Sequence, residues 1–388
     1  MTAQSDPFLI PILSAANFVI GMGAFVVIGL LDPLADDLAM TTSEAGWVMT
    51  TYALSYALLS PILVSMTGTL GRRRVIATGL ALFTLAQLVM ALAPDTAWVF
   101  SARVLAAAGA GIVTPVAAAV AAGVSAPENR AKALSTVFIG LTLAQVLGVP
   151  VGSFIAYTYG WRVAFGIVVL LALPCLWLIW TRVPKGLSFQ PVTLADLKRI
   201  LRNGPIMLAV LFTASFLAAI WVVYTYLAPL LTEIMGWGRD GITLALLVFG
   251  IGAVVGNVLG GILADRIGPA RTLALLATTQ IFWLSLYSYM PFPAWLMLTF
   301  IFLQAVCGWS FMAGQQARLV GLAPESAPVV LSLNAAAIYI GAALGSAIGG
   351  VVIDTAGLDS LGRVASALAV LALLHILISA RVSGDNKT

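Results

Sequence analysis

The feature that most constrains the fold of this chain is a repeat of its motifs at an offset of 197 residues, inside a sequence made almost wholly of long hydrophobic runs. The glycines of the first copy are Gly71, Gly148, Gly152 and Gly160, and their partners are Gly268, Gly345, Gly349 and Gly357. Pro33 corresponds to Pro229 at an offset of 196, and one additional loop residue explains the difference from 197. Repeats of this kind indicate a duplicated unit, so we expect two related halves.

The composition indicates a membrane protein. Hydrophobic residues make up 61% of the 388 residues, charged residues only 9%, and the mean hydropathy is +1.06, whereas soluble domains contain about a quarter charged residues. At about 20 residues per span, the chain accommodates about twelve helices. We predict an all-α membrane protein with an N-terminal six-helix bundle (1–182), a cytoplasmic linker with an amphipathic helix (183–205) and a C-terminal six-helix bundle (206–388).

The basic residues predict the orientation in the membrane. Most of the 19 lysine and arginine residues fall in loops on one side of the spans. Cytoplasmic loops carry an excess of Lys and Arg, so both termini are predicted to be cytoplasmic. This bias also explains the net charge of +4, so no nucleic-acid partner is expected.

Cys175 and Cys307 fall inside predicted spans, where a thiol acts as a small apolar group, and we expect neither a disulfide nor a metal site.

A charged loop motif occurs in both halves. The segment GGILADRIGPAR carries Asp265 and Arg266 at the end of a span, and its first-half relative is LGRRR with Arg72 and Arg73. Together they resemble the loop motif of the major facilitator superfamily, which is a family of twelve-helix transporters. The resemblance implies that these four residues contribute to a cytoplasmic gate. In the first copy, glycine and threonine replace the Asp and Arg of the motif, so a simple topological role for its arginines is the alternative.

The fourth predicted span carries Arg103 in the sequence ARVLAAAGAG. An arginine inside a membrane is costly, so it should face the interior of a bundle and find a partner there. The pattern resembles a fourth-helix motif of the superfamily that is linked to proton transfer. Binding of first-helix carbonyl groups is the alternative role for Arg103.

The fifth predicted span is rich in glycine and contains the core GVPVG. Small residues permit close contact between membrane helices. Gly140, Gly148, Pro150 and Gly152 resemble the antiporter motif of bacterial twelve-helix drug/proton exchangers. The Gly-Val-Pro spacing is also similar to that of the sugar-efflux branch. Glycine packing without a role in exchange is the alternative.

Proton coupling requires a carboxylate that changes charge during transport. Asp32, near the outer end of the first predicted helix, is the best candidate, because the acid that related exporters carry near Gly23 or Ala24 is absent. We expect Arg103 to lie near Asp32 and to lower the pKa of its carboxyl. The alternative is that Asp32 only caps a helix end before Pro33.

Polar side chains within the spans predict a substrate cavity between the halves. The superfamily layout favours Asn17, Tyr56, Gln145, Tyr224, Asn257 and Asn334. Because unpaired amides are costly in hydrocarbon, packing between helices is the alternative role for each.

Together these features predict a non-enzymatic, inner-membrane exporter of a small organic molecule such as a drug-like compound, sugar or metabolite. Transport would proceed by proton antiport with alternating access, without a cofactor, in a monomer whose partners are its substrate and the lipid bilayer. The alternatives are a proton symporter or facilitator for a sugar, nucleoside or organic acid, or a non-transporting sensor or lipid-handling protein.

Overall fold

The computed structural model describes residues 8–126, 129–185, 187 and 194–383. In this part of the chain, eleven helices are long and apolar enough to cross a membrane, and a further helix of 17 residues continues into a 3-10 turn. We label these twelve helices α1 Leu9–Gly29, α2 Thr42–Met66, α3 Arg72–Ala91, α4 Thr96–Val124, α5 Lys132–Tyr159, α6 Trp161–Arg182, α7 Gly204–Ile234, α8 Arg239–Ile267, α9 Pro269–Ser285, α10 Ala294–Leu322, α11 Val329–Ala356 and α12 Leu358–Ser383. The predicted all-α, twelve-helix fold is confirmed.

The helices end where local chemistry requires it. Gly160 and Gly357, one repeat apart, end α5 and α11 with φ angles of 94° and 82°. Only glycine adopts this region without strain. Thr41 begins α2 with a capping box, in which its hydroxyl accepts from the Glu44 backbone N–H and the Glu44 carboxylate accepts from the Thr41 N–H. The repeated glycines therefore set the ends of equivalent helices in the two halves.

Each half is held together by close contact between its first and fifth helices. In the first half, a Cβ placed on Gly140 would overlap the Ser14 carbonyl oxygen, and one on Gly152 would overlap Val26. In the second half, a Cβ on Gly349 would lie 2.9 Å from the carbonyl oxygen of Val222. These contacts follow the repeat, so the duplication in the sequence is a duplication of helix packing.

The two halves meet along α2 with α11 and along α5 with α8. We call the face that contains loops 68–71 and 268 the basic face, and the face that contains loops 39–41 and 236–238 the opposite face. The Ser346 hydroxyl of α11 donates to the Gly46 carbonyl of α2 at 3.0 Å. Gly250 of α8 lies against the backbone of Val146 in α5. Contact between the halves thus reaches from the opposite face toward the middle of the spans.

The predicted linker contains a helix over Leu194–Leu201. Arg199 donates to the Ser326 hydroxyl at 3.3 Å, and Ile200 is buried in the same apolar cluster as Val330 of α11. Residues 186 and 188–193 of the linker lie outside the described residues, as do both chain ends, 1–7 and 384–388. The domain boundaries and the cytoplasmic placement of the termini stay predictions.

Candidate functional site

The first helix of each half breaks near the opposite face. The backbone leaves the helical conformation at Leu30 (φ −135°, ψ 18°) and at Tyr226 (φ −105°, ψ 20°), which are separated by the same 196 residues as the two repeat prolines. A separate short helix, Leu31–Leu38, follows the first break. A turn and the π-helical segment Leu230–Ile234 follow the second. Broken first helices therefore bring two short segments together at the junction of the halves.

Asp32 lies at this junction, in the first turn of the short helix. Its Oδ2 accepts hydrogen bonds from the Tyr157 hydroxyl of α5 at 2.8 Å and from the Thr232 hydroxyl of α7 at 2.7 Å. Burial raises the pKa of the Asp32 carboxyl, the two hydrogen bonds oppose this shift, and the nearby charge of Asp36 adds to it. The expected lowering of the pKa by Arg103 is wrong, because that guanidinium binds elsewhere.

Arg103 is 1% exposed and binds backbone carbonyls of two other helices. Its guanidinium donates to the carbonyls of Gly23 and Ala24 in α1, both at 2.8 Å. It also donates to Val48 in α2 at 3.4 Å and lies 4.3 Å from the centre of the Tyr52 ring. These contacts match the alternative role, in which Arg103 joins α4 to the first helix. The proton-transfer role of Arg103 stays a prediction.

Two further carboxylates accept hydroxyl hydrogen bonds across the junction. The Ser43 hydroxyl of α2 donates to Asp354 of α11 at 2.8 Å. The Thr42 hydroxyl of α2 donates to Glu233 of α7 at 3.4 Å. We name these two pairs, together with Asp32 and Thr232, the carboxylate seam. Both acids lie at helix ends, and nothing in the sequence pairs them with residues 191 and 311 positions away.

The predicted gate residues lie at the basic face, and among the described residues no ion pair joins Asp265 to Arg72 or Arg73. Asp265 and Arg266 are exposed at the end of α8. Arg73 lies 4.7 Å from the centre of the Trp180 ring of α6, and the backbone N–H of the buried Arg72 donates to the Leu187 carbonyl. Among the described residues, the hydrogen bonds that join the two halves lie on the side of the opposite face. The hydrogen bonds between the described parts of the two halves are thus concentrated at that face.

The four residues of the antiporter-type motif are buried against the first helix. Gly140 packs on Ser14, and Gly148 and Gly152 pack on Met22 and Val26. Pro150 follows a π-helical turn, Ala144–Gly148. Proline lacks the N–H that would bind the carbonyl four residues earlier, so a wider turn at this point has a local cause. Their role in exchange stays a prediction.

The residues predicted for the substrate cavity divide into two groups. Asn17 is fully buried, and its amide donates to the Val137 carbonyl within the first half at 3.4 Å. Asn334 is 3% exposed, and its side-chain oxygen accepts from the Thr213 hydroxyl within the second half at 2.5 Å. Both amides therefore join helices of their own half, as the packing alternative requires.

In the second group, one residue contacts the other half directly. Tyr56 of α2 stacks on Tyr339 of α11, with ring centres 3.7 Å apart. Tyr224 stacks on Phe249 within the second half at 4.0 Å. Gln145 and Asn257 are half-buried on α5 and α8. Sequence reasoning missed Tyr339 because it is an aromatic residue in an apolar run, without a polar neighbour to mark it.

A sequence model of the Major Facilitator Superfamily matches residues 13–299 and 229–387 of the chain. The chain belongs to the major facilitator superfamily. The resemblance to this superfamily is thereby confirmed, and the roles assigned to the individual motif residues stay predictions.

Superfamily relatives match almost the whole chain. The uncharacterized MFS-type transporter YbcL of Bacillus subtilis is 31% identical over 97% of this chain and 96% of its own length. The inner membrane transport protein YdhP of Escherichia coli K12 is 29% identical over 95% of each chain. A probable sugar efflux transporter of Helicobacter pylori is 27% identical over 94% of this chain and 93% of its own. The family and these relatives are transporters.

A solved superfamily structure has the same fold. It is a bacterial homologue of the human lysosomal transporter Spinster, in an inward-facing and unoccupied conformation. Its TM-score is 0.73 at 17% identity, over 98% of this chain and 97% of that one. The likeness extends over both halves, so the two chains share the same fold.

Proposed function

We propose that this protein exports a small organic molecule across the inner membrane by proton antiport. The substrate class is a sugar, a drug-like compound or another metabolite. The halves alternately open the central region to each side. The bias of basic residues supports cytoplasmic termini and a cytoplasmic basic face. Export is supported by the sugar-efflux relatives and by the glycine and proline residues of α5.

The observation that carries the proton part of this proposal is the position of Asp32. Its carboxylate is bound at once by Tyr157 of the first half and by Thr232 of the second. Movement of the halves must therefore change the solvation and hydrogen bonding of this group. A titratable group whose environment differs between two states binds protons differently in each, which is the requirement for coupling.

The substrate is identified first by thermal unfolding of the purified protein with sugars, nucleosides, organic acids, lysolipids and cationic drugs. A ligand that binds only the native state raises its stability, by about 2.7 kcal/mol at 100 times its Kd. The stabilising compound is then loaded into proteoliposomes. Acidifying the outside should accelerate its exit if the protein is an antiporter. Acceleration of entry instead would identify a symporter, and no response to the gradient would contradict proton coupling.

Asp32→Asn should abolish exchange driven by the proton gradient while substrate binding is retained, because the amide does not titrate. The measurement is gradient-driven exit together with the ligand-induced rise in Tm. Asp359→Asn is the matched control, since Asp359 is an exposed aspartate whose partner is Arg363 of its own helix. If the Asp32 variant still exchanges at the rate of the unmodified protein, Asp32 is not the coupling residue.

A further inference from the structure

Two aromatic side chains that are related by the internal repeat contact each other across the junction of the halves. Phe25 of α1 and Trp221 of α7 are separated by the same 196 residues as the two repeat prolines, and their ring centres lie 6.1 Å apart. When two related halves face each other, equivalent residues that touch must lie beside the axis that relates the halves. The contact between Phe25 and Trp221 therefore marks the centre of the junction, where transporters built from repeats bind their substrates.

Three tyrosines continue the aromatic contact along α2 and α11. Tyr56 and Tyr339 stack with ring centres 3.7 Å apart, and Tyr52 meets Tyr339 edge-on at 6.3 Å. Separation of the halves must part the Tyr56 ring from the Tyr339 ring, and it leaves two aromatic faces on opposite sides of the opening. The residues that we name the aromatic junction are Phe25, Tyr52, Tyr56, Trp221 and Tyr339.

The helices that meet at the junction bring no charge to its centre. In the described residues of α1, α2, α5, α7, α8 and α11, every charged side chain lies in the first or last turn of its helix. Asp32 lies beyond the helix break, toward the opposite face. An ion within the membrane needs a partner of opposite charge, because removal of an unpaired charge from water is costly. The centre of the junction therefore suits an uncharged molecule.

A buried cation beside the aromatic junction disfavours both kinds of ion. The guanidinium of Arg103 lies 4.3 Å from the centre of the Tyr52 ring and donates to the carbonyl of Ala24, the residue before Phe25. Its positive charge repels a cation at this ring. An anion gains little from it, because its N–H groups already bind carbonyls of α1 and α2. Arg103 thus strengthens the preference for an uncharged ligand.

Two buried oxygens at the junction have no hydrogen-bond partner among the described residues. One is the hydroxyl oxygen of the fully buried Tyr52, and the other is Oε1 of Gln145. Gln145 precedes Val146, against whose backbone Gly250 of α8 packs. A buried acceptor without a donor is costly. An amide oxygen only accepts and a phenolic oxygen also accepts, so a ligand rich in O–H groups would satisfy both.

We propose that the aromatic junction binds an uncharged sugar, whose apolar C–H face lies on the tyrosine rings and whose hydroxyl groups bind Tyr52 and Gln145. The proposal rests on the transport function proposed above and selects one of its substrate classes. A sugar combines the three properties that the junction requires, namely a flat apolar side, several O–H donors and no charge. Cationic drugs and organic acids lack the third.

The test is thermal unfolding of the full chain in lipid nanodiscs with arabinose, xylose, glucose, galactose, mannose and fructose. Each sugar is added at about 20 mM, which raises the Tm when the Kd lies below that concentration. The charged counterparts are glucosamine and galactosamine at pH 6, which carry an ammonium group, and glucuronate and galacturonate, which carry a carboxylate. We expect at least one neutral sugar to raise the Tm and the charged sugars to have no effect. No rise with any neutral sugar, or an equal rise with a charged one, would overturn the proposal.

Two tyrosine variants assign the binding to the aromatic junction, with the Kd of the stabilising sugar measured by isothermal titration calorimetry. Tyr339→Ala should raise the Kd about tenfold, because an aromatic face is lost, and Tyr339→Phe should restore binding. Tyr289→Ala is the matched control, since Tyr289 is an exposed tyrosine after the end of α9, and it should leave the Kd unchanged.

Tyr52→Phe separates a binding role from a structural one. It should raise the Kd of the sugar about tenfold without lowering the Tm of the unliganded protein, because the hydroxyl has no partner to lose. This conservative variant also decides the question if Tyr339→Ala does not fold. An unchanged Kd in Tyr52→Phe and in Tyr339→Ala would place the sugar elsewhere and overturn the proposal.

The outcome is distinguishable from that of the transport assay. Sugar binding that depends on Tyr52 and Tyr339, without gradient-driven exit, would retain this site and reject antiport. Gradient-driven exit of a cationic drug or an organic acid, without binding of any neutral sugar, would retain antiport and reject this site.

Discussion

The two halves share their helix packing and differ in their buried polar groups. Gly152 of α5 packs on Val26, and Gly349 of α11 packs on Val222 at the equivalent place. At the position that corresponds to Arg103, however, the second half has Phe300, which packs on Trp283 and Phe292. At the position of Asp32 it has Ala228. The helix packing is therefore repeated in the two halves, while Arg103 and Asp32 have no counterpart at the corresponding positions of the second half.

We expect the largest effect from a substitution that gives both halves the same residue at one close contact between helices. The second half has Ala337 where the first has Gly140. Gly140→Ala should unfold the protein or lower its apparent Tm severely, because the new Cβ overlaps the Ser14 carbonyl. Overpacking of this kind costs about 1–3 kcal/mol or more. The measurement is thermal unfolding in detergent.

The matched control for that variant is Gly166→Ala in α6, where a Cβ would meet nothing within 4 Å. Its stability should change by no more than about 1 kcal/mol, the difference in helix preference between the two residues. Equal effects of the two substitutions would mean that the close contact at Gly140 does not matter and that the halves are interchangeable there.

Arg103→Phe copies the second half into the first and should have the next largest effect. It removes the donors to the Gly23 and Ala24 carbonyls, and each buried acceptor left unpaired costs about 1–3 kcal/mol. The apparent Tm and the rate of gradient-driven exchange should both decrease. Arg103→Lys should restore part of the stability, and Arg363→Gln, at an exposed arginine, should change neither quantity. A stable Arg103→Lys protein that lacks only exchange would instead favour the proton-transfer role.

The smallest expected effect concerns Asp37 and its pair with Arg162. The hydrogen bonds from Arg162 and Trp161 lower the pKa of the Asp37 carboxyl. The pair therefore contributes stability above the ordinary aspartate pKa of about 4, and the contribution is lost as the pH falls through the lowered value. Exposed pairs contribute below about 1 kcal/mol. In the second half, Asp359 replaces Arg162 and pairs with Arg363 of its own helix at 3.7 Å.

Between about pH 5 and pH 3, the Tm of Asp37→Asn should fall less than the Tm of the unmodified protein. Near neutral pH, the two Tm values should differ by no more than a few degrees. Asp359→Asn is the control from the other half, because its partner lies on the same helix. If the Tm of Asp37→Asn falls with acidification as steeply as that of the unmodified protein, the pair does not stabilise the first half.

The fold could be predicted because its signals are local or repeat along the chain. Hydrophobic runs predicted the membrane spans, and the glycine pairs showed which helix of the first half corresponds to which helix of the second. The position of Asp32 at the end of the first helix was also predictable. Its partners were not, because Tyr157 and Thr232 lie 125 and 200 residues away, and a hydroxyl in an apolar span has many acceptors open to it.

The sequence by itself determined the membrane class, the twelve helices, the family and the capacity of the fifth helix for close contact with a neighbour, because hydropathy and the absence of a Cβ act wherever the chain folds. Only the tertiary structure decided which polar groups meet. It directed Arg103 to backbone carbonyls rather than to Asp32, and it turned two helix-end acids into contacts between the halves. The reason is that a hydrogen bond requires a donor–acceptor distance within a few tenths of an ångström and a suitable angle. The packing of all twelve helices sets that geometry, and no single segment encodes it.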